Sequence, residues 1–269
     1  MSRRILMLGN SHLAAPRLAG KRWPDRWPDL EITAIGGGVP VLEDLRVDNG
    51  VLRGEHARTD EVMDSFVGAD HLSLDGIDAV VIVGAQMGPI RLIELPTHCT
   101  WPGRPSLARV PDLASMERVL TSDRLIRTAA RDAIESSTAI RLARRLGPAT
   151  GLPILICSQP RPSAALMQRP RSAFRRVRRL VESGEGAVLS DLFEETAEAA
   201  VCDAGARYLP QPSRTIKDAI MTVPRFANGA QKLRPGGARP QPADDLLHGN
   251  DVYGAQVMDQ ITGAVATVG

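Results

Sequence analysis

Along the chain, short apolar runs that stop at small or turn-forming residues alternate with longer stretches whose apolar positions recur every three or four residues. The first pattern is that of strands and the second that of amphipathic helices. Core strands are expected at Arg4–Leu8, Leu30–Ile35, Asp78–Val83, Pro153–Cys157 and, more faintly patterned, Ala206–Leu209. From Ser122 to Leu146, the positions Leu125, Ile126, Ala129, Ala133, Ile140 and Leu142 predict one helix, stopped by Gly147-Pro148. Ser190 opens a second that runs through Ala200, and a last helix follows Asn250 through Thr262. This alternation predicts an α/β fold, a three-layer α/β/α sandwich around a five-stranded parallel sheet of the flavodoxin-like kind.

Two segments fall outside the repeat. Leu45–Arg53 carries Asn49-Gly50 between alternating apolar positions, the pattern of a β-hairpin, and predicts an insertion at about residues 42–56. The Gly- and Pro-rich stretch from Asn228 to Pro242 reads as a loop. With 269 residues and 43% hydrophobic content, residues 1–269 are expected to form a single domain.

Composition narrows the partners. Acids and bases nearly cancel, with a formal net charge of +2, so the overall field favours neither nucleic acid nor an anionic membrane. No apolar run approaches the roughly 20 residues of a membrane span, and Ile5–Leu8 is too short for the core of a signal peptide. Cys99, Cys157 and Cys202 are odd in number and far apart, which fits neither a disulfide framework nor a zinc site. A cytoplasmic protein without metal or organic cofactor is the expectation.

The chemistry begins where the first strand ends, at Gly9-Asn10-Ser11-His12. In an open parallel sheet, ligands bind in the crevice beyond the C-terminal ends of the strands. A serine on a tight strand-to-helix turn there exposes its hydroxyl, and Gly9 permits the turn. That hydroxyl is a weak nucleophile until a base takes its proton, so the reading requires a histidine oriented by a carboxylate. Asp245-Leu-Leu-His248, just before the last helix, supplies both, and the three-residue spacing lets the two side chains face the same way.

These blocks resemble the SGNH, or GDSL-like, serine hydrolases. Gly9-Asn10-Ser11-His12 is similar to the first block of that family and Asp245-x-x-His248 to its last, near the two ends of the chain as is usual there. The resemblance implies Ser11 as nucleophile, His248 as base and Asp245 as its orienting acid. It also implies oxyanion donors after the second and third strands. Here the chain offers Gly36-Gly37-Gly38, with Gly37 and Gly38 as candidates and Gly38 slightly preferred. It then reads Gly84-Ala85-Gln86, with Gln86 where the family carries asparagine. The implied activity is hydrolysis of a small acyl ester, O-acetyl first, on a small molecule or carbohydrate, through an acyl-serine. Two alternatives stay open: O-acyl transfer in polysaccharide synthesis, and a binding protein that kept the fold and lost turnover.

Several other residues border this picture. His12 either touches substrate or packs under the turn. His56 and His71 read as surface residues, and His98 with Trp101 as part of a loop bordering the site. Trp23, Trp27 and Trp101 are the platforms available for stacking a sugar, though the near-repeat Arg22–Asp29 can equally pin a loop. Arg169, Arg171, Arg175, Arg176, Arg178 and Arg179 fit the solvated face of an amphipathic helix better than an anion site. The Leu45–Arg53 hairpin can overhang the crevice as a lid or face a second subunit in a homo-oligomer.

Overall fold

In the computed structural model, residues 2–105, 107, 118–169, 174–234, 237–242 and 244–268 are described. Five strands, Arg3–Gly9, Leu30–Gly36, Ala79–Val83, Ile154–Cys157 and Arg207–Leu209, form one sheet with every pairing parallel. Numbered by their order in the chain, they lie across the sheet as five, four, three, one, two. The order therefore reverses at the first strand, and the crevice beside its C-terminal end is where a ligand site is expected.

Helices cover both faces, which explains why the strands are apolar throughout. Ile5, Met7, Val81 and Leu155 face one layer, made by the first helix (Ala14–Arg22) and the last (Asp251–Val265). The alternate residues Leu6, Leu8, Val80, Ile82 and Ile156 face the other. That layer includes helices Asp123–Glu135, Thr138–Thr150 and Gly186–Asp203. The first and last helices meet backbone to backbone: a Cβ on Gly254 would stand 2.0 Å from the Ala15 carbonyl oxygen. No helix among the described residues is long and apolar enough to cross a membrane.

The expected strands all form, but four other expectations need correction. The single helix of Ser122–Leu146 is two: Ser136 ends the first, and Ser137 caps the second, its Oγ accepting the Ile140 N–H at 3.3 Å. Gly147-Pro148 does not stop that second helix; Pro148 lies in its last turn, where it costs one hydrogen bond, and Gly151 ends it at φ +66°. The helix expected from Ser190 starts a turn earlier, at Gly186. The Asn228–Pro242 segment is not merely a loop. It carries an antiparallel hairpin, Gln231–Arg234 against Gly237–Pro240, and Pro240 is accommodated because the ribbon has only two strands, both edges.

The Leu45–Arg53 hairpin forms as patterned. Arg46–Asp48 pairs with Val51–Arg53 across Asn49 and Gly50, which take φ of +47° and +75°. His71–Ser73 adds a third strand to it. Helix Ala57–Val67 connects the two, closed by Gly68 in the left-handed conformation.

Candidate active site

Ser11 opens a single 3₁₀ turn, Ser11–Leu13, directly after the first strand. Gly9 allows the chain to pass there, since a Cβ would lie 2.5 Å from the Val83 carbonyl oxygen of the neighbouring strand. Asn10 then shapes the turn: its Oδ1 accepts the His12 N–H at 3.2 Å and its carbonyl accepts the Leu13 N–H at 3.0 Å. Ser11 is left exposed at the sheet's C-terminal edge.

The other end of the chain is brought to it. Buried Leu246 anchors the Asp245–His248 segment, and its carbonyl accepts the Ser163 N–H at 2.7 Å. Asn250 caps the last helix through the Tyr253 N–H, while its amide donates to the carbonyls of Arg225 and Asn228, each at 2.8 Å. His248 Nε2 thereby stands 2.8 Å from Ser11 Oγ, and His248 Nδ1 stands 2.7 Å from Asp245 Oδ2. The second carboxylate oxygen accepts the Leu247 N–H at 3.0 Å. Burial pushes the Asp245 carboxyl up, but the hydrogen bonds from His248 and Leu247 outweigh it and hold the group below its ordinary value. A carboxylate can only accept, so Nδ1 carries the ring proton and Nε2 presents its lone pair to the serine.

His12 packs under the turn, against His248, with ring centres 4.8 Å apart and planes inclined by 30°. Its Nδ1 is sealed from solvent without a hydrogen-bond partner among the described residues. Burial, reinforced by the nearby His248, pulls its pKa from 6.5 down to about 3. The ring is therefore neutral near neutral pH and places no positive charge beside His248. In the unfolded chain His12 regains its ordinary pKa, so between pH 6.5 and about 3 the unfolded state binds more protons. Its contribution to stability is fully present above 6.5 and is lost as pH falls toward 3. Below that point His12 is expected to contribute a loss of about 1.4 kcal/mol per pH unit to the urea unfolding free energy, a share that His12→Leu removes. Equal slopes in the two proteins would contradict a buried neutral His12.

The oxyanion candidates separate by where their N–H groups go. Gly37 donates to the Gly9 carbonyl at 2.9 Å, so its N–H is already committed. Among the described residues, the N–H groups of Ser11 and Gly38 have no acceptor, and both residues border the cavity beside Ser11. Gln86 is used elsewhere. Its Oε1 accepts from the N–H and hydroxyl of Thr138, both at 3.3 Å, and from Arg91 at 3.4 Å, which caps the Thr138–Thr150 helix. It does not line that cavity. Gly84, Ala85 and Gln86 all have positive φ, at +72°, +46° and +69°, and the longer glutamine arm on this strained loop reaches across to Thr138.

That cavity holds about 640 Å³. Part of its wall comes from segments that the sequence pattern left unread: Val62 and Phe66 of helix Ala57–Val67, and Lys232 and Leu233 of the late hairpin. The recurrence of Val62, Met63, Phe66 and Val67 at helical spacing was the available signal for the first wall.

None of the tryptophans lines the cavity. Trp101 is buried beneath the Arg104 guanidinium, and the Arg22–Asp29 segment is pinned to the last helix through Arg22–Asp251, Arg26–Asp259 and Trp27–Asp259. His98 is exposed beside Glu94, His56 is paired with Asp44 and His71 with Asp70. Arg175, Arg176, Arg178 and Arg179 lie on helix Arg175–Glu182, which buries Val177 and Leu180. Arg169 precedes that helix, and Arg171 lies outside the described residues.

No protein-family model and no curated protein sequence matches the chain. Solved structures do. A protein from Agrobacterium tumefaciens assigned as an arylesterase is 12% identical, with a TM-score of 0.38 over 99% of each chain. The periplasmic domain of a lipopolysaccharide acetyltransferase from Salmonella ser. Paratyphi A is 9% identical, with a TM-score of 0.40 over 99% of this chain and 85% of that one.

Proposed function

We propose that the chain is a serine-dependent enzyme acting on acyl esters, with Ser11 as nucleophile, His248 as base and Asp245 as orienting acid. The observation that carries this reading is the unbroken relay from Ser11 Oγ through both nitrogens of His248 to Asp245, at 2.8 and 2.7 Å. Its members come from opposite ends of the chain, and chance contact does not supply a nucleophile, a base and an acid in bonding order.

As Ser11 Oγ attacks the ester carbonyl carbon, Nε2 of His248 takes the hydroxyl proton. The carbonyl oxygen becomes an oxyanion, and the free N–H groups of Ser11 and Gly38 are the donors available to hold it. Collapse breaks the bond to the alcohol, which leaves with the proton from His248, and the acyl group stays on Ser11. Water then gives its proton to His248 and attacks the acyl-serine, and the returning proton restores the Ser11 hydroxyl.

A fluorophosphonate probe tests the proposal, because it marks a serine only where a base activates it. Labelling confined to the peptide that contains Ser11, together with release of phenol from an aryl acetate, is the expected result. Absence of labelling in folded protein would overturn the proposal and leave a binding protein. Addition of sugar acceptors to the same assay separates hydrolysis from transfer: an acyl enzyme that turns over only with an acceptor is a transferase.

A further inference from the structure

We infer that the cavity beside Ser11 selects esters bearing an anionic group on an apolar arm, with Lys232 as the cation that reads the charge. This deepens, and rests on, the assignment of Ser11 as an ester nucleophile. A volume of about 640 Å³ lies within the range of sites that enclose a drug-sized ligand, far more than an acetyl group fills. Val39, Val62, Phe66 and Leu233 make much of the wall apolar, which suits a hydrocarbon or aryl arm rather than a sugar face.

The charge on that wall is unusual for this chain. Lysine and arginine together number 33, and only Lys21, Lys217 and Lys232 are lysines. Many arginines are spent on carboxylates, as in Arg104–Glu185, Arg127–Glu195 and Arg161–Glu194. Among the described residues, no carboxylate pairs with Lys232 and none lines the cavity. Lys232 is a half-buried residue with no carboxylate partner among the described residues, and its ammonium, beside an apolar surface, is stabilised by whatever anion enters. Lysine suits this task, since its flexible stem lets the charge follow ligands of different length. The anion would thus be held at the hairpin wall, while the apolar arm lies against Phe66 and the ester reaches Ser11.

Calorimetric binding of 4-phenylbutyrate and of its neutral amide, 4-phenylbutanamide, tests the selection without requiring turnover. In wild type the carboxylate is expected to bind about tenfold more tightly, the scale of one charge-assisted hydrogen bond, with the preference shrinking at high salt. Lys232→Met should bring the ratio near one and Lys232→Glu should invert it. Equal affinity for the two probes in wild type, failure of both to bind, or survival of the preference in Lys232→Met would overturn the inference. Failure of the ester assignment reads differently, as a Ser11 that no fluorophosphonate labels whatever the binding ratio.

Discussion

Asp245→Asn is expected to lower kcat/KM for an aryl acetate by about 10⁴-fold while leaving the unfolding midpoint nearly unchanged. Asparagine keeps the shape of the side chain, and its carbonyl oxygen can retain the Leu247 N–H that Asp245 Oδ1 accepts at 3.0 Å. The amide NH₂ then faces His248 Nδ1, in place of the carboxylate oxygen at 2.7 Å. A donor there forces the ring proton onto Nε2, so that the nitrogen 2.8 Å from Ser11 Oγ has no lone pair to receive the serine proton. The carboxylate that would have stabilised the imidazolium is lost as well. Because Asp245 is held below its ordinary pKa, wild type keeps this carboxylate ionised across the mildly acidic range, and the loss in the variant should persist there. Steady-state kinetics with a chemical-denaturation control measures it. Activity within tenfold of wild type in a folded variant would mean that Asp245 does not orient the base.

The strands and the two blocks that the structure brings together, around Ser11 and around Asp245 and His248, were legible because each rests on a local signal. Apolar runs closed by glycine mark Arg3–Gly9 and Leu30–Gly36, and the Asn-Gly pair marks the hairpin whose turn residues both take positive φ. Ser11 and His248 lie 237 positions apart, yet each follows from its own neighbours: a turn after the first strand, and a segment just before the last helix. What stayed hidden depends on tertiary contacts. Nothing local in Gly36-Gly37-Gly38 says that the middle N–H is spent on the Gly9 carbonyl. Gln86 looks like an oxyanion donor until Thr138 and Arg91, 52 and 5 positions away, are seen to hold its oxygen and the residue is found outside the cavity lining. The hairpin that bears Lys232 was masked by glycine and proline, which obscure the two-residue period. The cavity wall formed by this hairpin was therefore the least readable part of the candidate site.

Gly38→Pro should cost about 10²–10³-fold in kcat, the usual loss of one oxyanion donor, with little change in KM. Proline removes the N–H and otherwise asks little of this backbone, since Gly38 already has φ −68° and ψ 171°, inside the range a proline ring imposes. Its carbonyl can still accept the Leu42 N–H at 3.1 Å, so the following helix keeps its first bond. The crowding that proline places on the preceding residue falls on Gly37, which has no Cβ to clash. Gly38→Ala is the control: it keeps the N–H, and its new Cβ meets only the Pro40 ring, at 3.7 Å, so activity should stay within a few-fold of wild type. The pair distinguishes the N–H from the mere presence of glycine. If folded Gly38→Pro retains full activity while Gln86→Ala loses it, the oxyanion is held from the strained loop after the third strand.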